Sequence, residues 1–139
     1  MQVLDSSAIA IILRRLGEKA VEIIRGKTTL DLAGYELGNI IWKECILKGL
    51  ITPEEAMNRA EEIAKILDIM KVEPVETKAF MEVMQLSTEL KITFYDASYL
   101  HIAKKNKFTL ITEDAELKEK ANKVNLTAIS VGQLLSEKQ

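Results

Sequence analysis

Short apolar runs along this chain alternate with longer stretches in which apolar residues recur at helical spacing. Gln2-Val3-Leu4 is a brief extended start that reaches Asp5, Ser6 and Ser7. A helical pattern, Ala8-Ile9-Ala10-Ile11-Ile12-Leu13, begins at once and stops at Gly17. Arg14 and Arg15 fall in its last turn, where cations suit the helix dipole. Glu18 to Arg25 predicts a second short helix, apolar at Ala20, Val21, Ile23 and Ile24 and ended by Gly26. Thr28 to Leu32, with its β-favouring threonines, predicts the second strand. From near Gly34 and Tyr35 the positions Leu37, Ile40, Ile41, Ile46 and Leu47 keep helical period as far as Gly49.

Thr52-Pro53-Glu54-Glu55 is a helix start with three signals: a threonine N-cap, proline at the first helical position and glutamate three residues after the cap. Ala56, Ala60, Ile63, Ala64, Leu67 and Met70 predict its apolar face. Met70 to Val75 is a short extended piece that Pro74 marks as an edge strand. Thr77 to Leu90 predicts a helix offering Ala79, Phe80, Val83, Met84 and Leu86 to the core. Thr93-Phe94-Tyr95-Asp96 opens another, continuing through Ala97, Leu100 and Ala103 to Lys104, Lys105 and Lys107. Phe108 to Thr112 is the strongest strand signal, five apolar or β-branched residues between polar ones. Asp114 and a helix from Ala115 to Lys123 follow, then a strand from Leu126 to Ser130 and a helical turn from Val131 to Leu135.

Strands alternating with helices imply βαβ crossovers and a mainly parallel sheet covered on both faces. One domain over residues 1–139 accommodates the whole pattern, with no repeat or linker inside it. In such a sheet, ligands bind outside the carboxyl ends of the strands. Asp5 stands at that turn of the first strand. Glu36, Asp96 and Asp114 can be brought to the same edge by one simple fold.

Composition narrows the chemistry. Hydrophobic residues make up 47% and charged residues 29% of the chain, which fits a globular protein and excludes a disordered one. No apolar run approaches the ~18 residues that span a bilayer, and no signal-like segment opens the chain, so the expectation is a cytoplasmic protein without a membrane. A single cysteine, Cys45, cannot close an internal disulfide, and with the single histidine, His101, it cannot make a Cys/His zinc site. A formal charge of −2 argues against nucleic-acid binding through a bulk basic patch. The chemistry falls to carboxylates.

Four motifs in order carry a resemblance. Leu4-Asp5-Ser6-Ser7, Glu36-Leu37-Gly38-Asn39, Tyr95-Asp96-Ala97 and Leu110-Ile111-Thr112-Glu113-Asp114 resemble the PIN-domain ribonucleases, with the VapC-type toxins of VapBC toxin–antitoxin pairs as the subgroup most alike. The resemblance runs over essentially the whole chain. It implies a three-layer α/β/α PIN-like fold with a mainly parallel sheet of about five strands, the first strand central. It further implies an endoribonuclease in which Asp5, Glu36, Asp96 and Asp114 hold one or two Mg²⁺ or Mn²⁺ ions and RNA is cut to 5′-phosphate and 3′-hydroxyl ends. A homodimer and a VapB-type antitoxin, whose C-terminal segment covers the active groove, are implied as well.

The donor chemistry agrees. Mg²⁺ and Mn²⁺ take hard oxygen ligands, and four acids around one pocket repel each other without a cation, which raises pKa values. Each acid also has a structural alternative. Asp5 can cap the first helix, as can Ser6 or Ser7; Asp96 can complete a capping box with Thr93; Asp114 can cap the helix at Ala115. Glu36 near a helix start is favourable in any case. Asn39 shares the Glu36 face, Ser6 adjoins Asp5, and Thr112 is placed to orient a carboxylate or a turn. Glu113 and Asp31 are expected in solvent. Gly38 suggests close packing or ligand approach. His101, about 140° around the helix from Asp96, is expected partly buried or at the surface rather than as a base. Trp42 is expected in the core. Arg14, Arg15 and Lys43 are either solvated helix residues or contacts to RNA phosphates.

Two other functions fit the pattern less closely. One keeps the fold as an RNA-processing or inactive binding module without an antitoxin. The other is a haloacid-dehalogenase-type phosphatase using Asp5 as nucleophile; the second aspartate such enzymes carry two residues later is Ser7 here.

Overall fold

The computed structural model describes residues 1–137; residues 138 and 139 of the expected domain lie outside the described residues. Strand β1 (Gln2–Leu4) passes directly into helix α1 (Ser6–Leu16). A 3-10 turn at Gly17–Lys19 and helix α2 (Ala20–Ile24) lead to β2 (Thr28–Leu30). Helix α3 (Leu32–Trp42) runs into a π-helical turn, Lys43–Leu47, before α4 (Pro53–Asp68) and β3 (Lys71–Glu73). Helices α5 (Phe80–Leu90) and α6 (Phe94–Asn106) precede β4 (Thr109–Ile111). Then come α7 (Ala115–Lys123), β5 (Ala128–Ile129) and α8 (Val131–Glu137).

The five strands pair in parallel in the order β3-β2-β1-β4-β5, so the first strand is central. Val3 lies in register with Thr28 on one side and Leu110 on the other. Adjacent strand residues point to opposite faces, and β1 feeds both halves of the core. Val3 packs with Leu30, Val83, Leu86, Leu100 and Leu110. Leu4 packs with Ile9, Ile12, Leu37, Ile66 and Ile111 on the other face. This is the expected three-layer α/β/α arrangement.

The topology explains why one edge of the sheet collects acids. Helices α1, α3 and α7 each begin just beyond the carboxyl end of the preceding strand. Helix α6 runs back to the start of β4, so its N-terminus lies at that same edge. The N-termini of α1, α3, α6 and α7 lie there, each with its positive dipole end and first-turn N–H groups toward the edge.

Several details differ from the expectations. Leu32 is the first residue of α3, not the last of β2: Asp31 is already helical, at φ −57° and ψ −28°. On α4 the inward positions are Ile63, Ile66 and Leu67, followed by Met70 just beyond the helix, while Ala60 and Ala64 face solvent. The larger side chains win the interior because they remove more apolar area from water. Phe80, Met84 and Trp42, all expected in the core, are half-exposed. Phe80 instead meets the Phe94 ring, centroid to centroid, at 5.4 Å. Gly38 has no heavy atom within 4 Å of where a Cβ would stand, so close packing does not explain it.

Candidate metal centre at the carboxyl edge of the sheet

Asp5 is the most rigidly held acid. It caps α1, its Oδ1 accepting the Ala8 N–H at 2.9 Å and the Ser7 hydroxyl at 2.6 Å. The Thr112 hydroxyl, from just beyond β4, donates to Oδ2. Thr112 Oγ1 also accepts the Asp114 N–H at 3.1 Å, tying the two acid-bearing turns together. Asp5 is 5% exposed, and burial pushes its carboxyl up; bonds from Ser7, Thr112 and Ala8 pull it down, while the Glu36 charge adds to the rise. A buried acid with both oxygens engaged is poorly placed as a nucleophile, which counts against the phosphatase alternative.

Glu36 is the fifth residue of α3, turned toward α6, where the Tyr99 hydroxyl donates to its Oε1 at 2.8 Å. Asp114 caps α7, accepting the Leu117 N–H at 3.1 Å on Oδ1. Asp96 lies in the first turn of α6. Thr93 caps that helix by accepting the Asp96 N–H at 3.1 Å. The reciprocal half of a capping box, made by Glu55 back to the Thr52 N–H on α4, is missing on α6: the Asp96 carboxylate accepts no hydrogen bond among the described residues. The helix is capped without it.

That free carboxylate is also the one under the greatest electrostatic load. Burial raises the Asp96 pKa first, and the charges of Asp114, Asp5, Glu36 and Glu116 add to it, bringing it up to about 6. The four predicted acids therefore do share one electrostatic site, joined by Glu116 from the first turn of α7. Among the described residues no three acid, histidine or cysteine side chains stand close enough to enclose one ion between them. The donors nonetheless suit Mg²⁺ or Mn²⁺: hard oxygens, excess negative charge and one unengaged carboxylate. Mg²⁺ in particular uses one or two carboxylates and keeps several waters.

The supporting residues divide. Thr112 is in the site, as is Ser6, whose side chain stands beside the Tyr99 phenol. Asn39 is exposed, with no side-chain bond among the described residues. Arg14 and Arg15 sit at the far end of α1, nine and ten residues from Asp5, or about 14 Å along the helix. Arg14 lines a cleft of about 280 Å³ with Leu13, Leu37, Ile41 and Arg59. Lys43 is exposed at the start of the π-helical turn, two helical turns from Glu36. Glu113 is not simply solvated: its Oε1 accepts the Val131 N–H at 2.7 Å, securing the start of α8. His101 is 6% exposed between α5 and α6, 3.6 Å from Glu82 and away from the acids.

Two site residues escaped the sequence. Ser7 holds Asp5 and accepts the Glu113 N–H at 3.1 Å. Tyr99 falls one helical turn after Asp96, so a polar-tipped aromatic on the acid's own face was a signal available in the spacing.

The similarities to known proteins agree with this geometry. The chain is 34% identical over 123 residues to Ribonuclease VapC3 of Pyrobaculum aerophilum, covering 85% of this chain and 92% of that protein. Exonuclease VapC9 of the same organism is 33% identical over 88 residues, 63% of this chain and 62% of that one. The crystal structure of PAE2754, also from Pyrobaculum aerophilum, superposes with a TM-score of 0.79 at 32% identity, covering 98% of this chain and 94% of that one. Residues 3–123 match the PIN domain family. With the acids at the carboxyl edge of a β3-β2-β1-β4-β5 sheet and a match running from the first strand through α7, this chain belongs to the PIN domain family.

Proposed function

We propose that the protein is a metal-dependent endoribonuclease, the toxin of a toxin–antitoxin pair, and that Asp5, Glu36, Asp96 and Asp114 form its Mg²⁺ or Mn²⁺ site. The observation that carries this is Asp96: a carboxylate with no hydrogen bond among the described residues, whose pKa is brought up to about 6 by burial first and then by the charges of four other acids. Such a cluster costs stability, and a divalent cation removes the cost. When bound, Mg²⁺ or Mn²⁺ supplies Lewis-acid stabilisation of the charge that develops on a cleaving phosphodiester.

The chain's own residues have separable tasks. Asp5, fixed by Ser7, Ala8 and Thr112, gives the site an immobile wall. Glu36 is held from the opposite side by Tyr99. Asp96 and Asp114 offer oxygens with no hydrogen bond among the described residues, and Asp96, its pKa raised to about 6, would hold a cation as the ionised carboxylate. RNA meets this edge from solvent, since Asp114 and Asn39 are both exposed. The exposed apolar residues around the π-helical turn, Trp42, Ile46, Leu47 and Leu50, support the partner reading, a second copy of the chain together with a VapB-type antitoxin.

The test is cleavage of a structured linear RNA and a circular RNA by purified protein with Mn²⁺ or Mg²⁺, with EDTA, and with Asp96→Asn in parallel. Metal-dependent cutting of both RNAs, absent in the EDTA and variant samples, is expected. Cutting of the linear RNA alone would mark an exonuclease. Equal activity of wild type and variant would remove Asp96 from the chemistry.

A further inference from the structure

We infer that Tyr99 is the positioning residue of this site: its hydroxyl holds Glu36 turned inward against the repulsion of the other acids, so that Glu36 is ready for the cation. The inference rests on the metal-site reading above.

The geometry is specific. Tyr99 is 1% exposed and its phenol donates to Glu36 Oε1 at 2.8 Å. Ser6, the residue beside Asp5, stands next to the same phenol and pulls against the rise of its pKa. The Tyr99–Glu36 bond joins α6 to α3, with α1 alongside it through Ser6. Tyr99 also lies on the helix that carries Asp96 in its first turn. One helix therefore brings an acid to the site and fixes a second acid from a different element.

The need for such a group follows from charge and freedom. A glutamate carries three rotatable side-chain bonds, whose freedom is lost when the carboxylate is held in one place. Glu36 is part-exposed, and the charges of Asp5 and Asp96 favour its turning out to water. The Tyr99 hydroxyl is the one side-chain donor bonded to Glu36 among the described residues. A phenylalanine would fill the same volume and keep the apolar contacts with the surrounding core. It would lose only the donor.

Supporting groups that orient metal-binding carboxylates cost about ten- to a hundredfold in affinity or activity when removed. The experiment is calorimetric Mn²⁺ titration of four proteins: wild type, Tyr99→Phe, Glu36→Gln and the double variant, each checked for native circular dichroism. Tyr99→Phe is expected to bind Mn²⁺ about tenfold more weakly than wild type. On the Glu36→Gln background the same change is expected to do nothing further, because Tyr99 acts through Glu36. Additive losses in the double variant would overturn the inference, since they would show a general structural role. Wild-type affinity in Tyr99→Phe would overturn it too, while leaving the metal site intact. Absence of Mn²⁺ binding by wild type is a distinct result: it would remove the metal site itself and this role of Tyr99 with it.

Discussion

The Thr112 hydroxyl donates to Oδ2 of Asp5 across 107 positions of sequence, closing the gap between the turns that follow the central strand β1 and its neighbour β4. Its Oγ1 simultaneously accepts the Asp114 N–H at 3.1 Å. Thr112 is 1% exposed, so water cannot replace either bond. Thr112→Val keeps the shape but strands a buried carboxylate oxygen and a backbone N–H. A loss of about 1–3 kcal/mol is expected, seen as a melting temperature lower by about 3–10 °C. Thr112→Ser retains the hydroxyl and is expected to recover most of that loss. A valine variant as stable as wild type in thermal denaturation would mean that the bridge between the turns contributes nothing.

Asp96 gives the site a pH signature with a definite sign. Its pKa is raised from 3.8 to about 6 in the folded protein, so between those values the folded state binds more protons than the unfolded one. Its contribution to stability is therefore full below about pH 4 and is lost as pH rises through about 6. The rise corresponds to ~3 kcal/mol, screened toward ~1 kcal/mol because the carboxyl is part-exposed. Metal-free Asp96→Asn is expected to melt about 2–4 °C above wild type at pH 7.5 and level with it near pH 4. Added Mn²⁺ should raise the wild-type melting temperature and leave the variant nearly unchanged. If the two proteins keep the same separation at both pH values, Asp96 does not carry the electrostatic load assigned to it.

The architecture was legible because its signals are local. Thr52-Pro53-Glu54-Glu55 states a helix start by itself, and the capping box is present in full. Likewise, Phe108 to Thr112 reads as a strand without reference to the rest of the chain. The acids were legible because each lies just beyond a strand or in the first turns of a helix, positions that parallel α/β topology gathers at one edge. What the sequence did not disclose depends on contacts between distant segments. The Tyr99–Glu36 bond spans 63 positions and has no local trace beyond the spacing from Asp96. On α4 the expected Ile63 and Leu67 do turn inward, but Ala60 and Ala64 count as apolar in a pattern and face solvent, whereas Ile66 takes the interior. A tryptophan at helical spacing resembles a core residue; only the fold shows that Trp42 is left half-exposed.

Gly38 separates stability from function on α3. It is exposed, its φ is not in the left-handed region, and an added Cβ meets nothing within 4 Å. Glycine inside a helix costs up to ~1 kcal/mol relative to alanine. Gly38→Ala is therefore expected to raise the melting temperature by about 2–4 °C. Two residues after Glu36, it lies about 200° around the helix from that acid, so RNA cleavage should be unaffected. A variant that is stabilised yet binds RNA more weakly would instead place the Gly38 backbone against the substrate.

The surface around the π-helical turn predicts an assembly. Trp42 is 49% exposed, Ile46 61%, Leu47 64% and Leu50 69%, four large apolar side chains within nine positions. Apolar residues scattered singly over a surface need no explanation, whereas a cluster of this kind marks an interaction site. The turn presenting them is not loose: the Lys48 N–H bonds the Lys43 carbonyl at 2.9 Å, and Arg59 on α4 pairs with Glu44 at 2.6 Å. A cluster held on a fixed frame suits a permanent interface, and a second copy of the chain is the expected occupant. Sedimentation should find wild type as a dimer and Leu47→Lys with Leu50→Lys as a monomer, because two ammonium groups would have to be desolvated at the interface. Circular dichroism of the variant should match wild type, since both leucines are exposed in the single chain. A dimer that survives both lysines would place the contact between copies elsewhere and leave this cluster to the antitoxin. A wild-type monomer would remove the second copy altogether, and the same lysines should then weaken binding of the antitoxin.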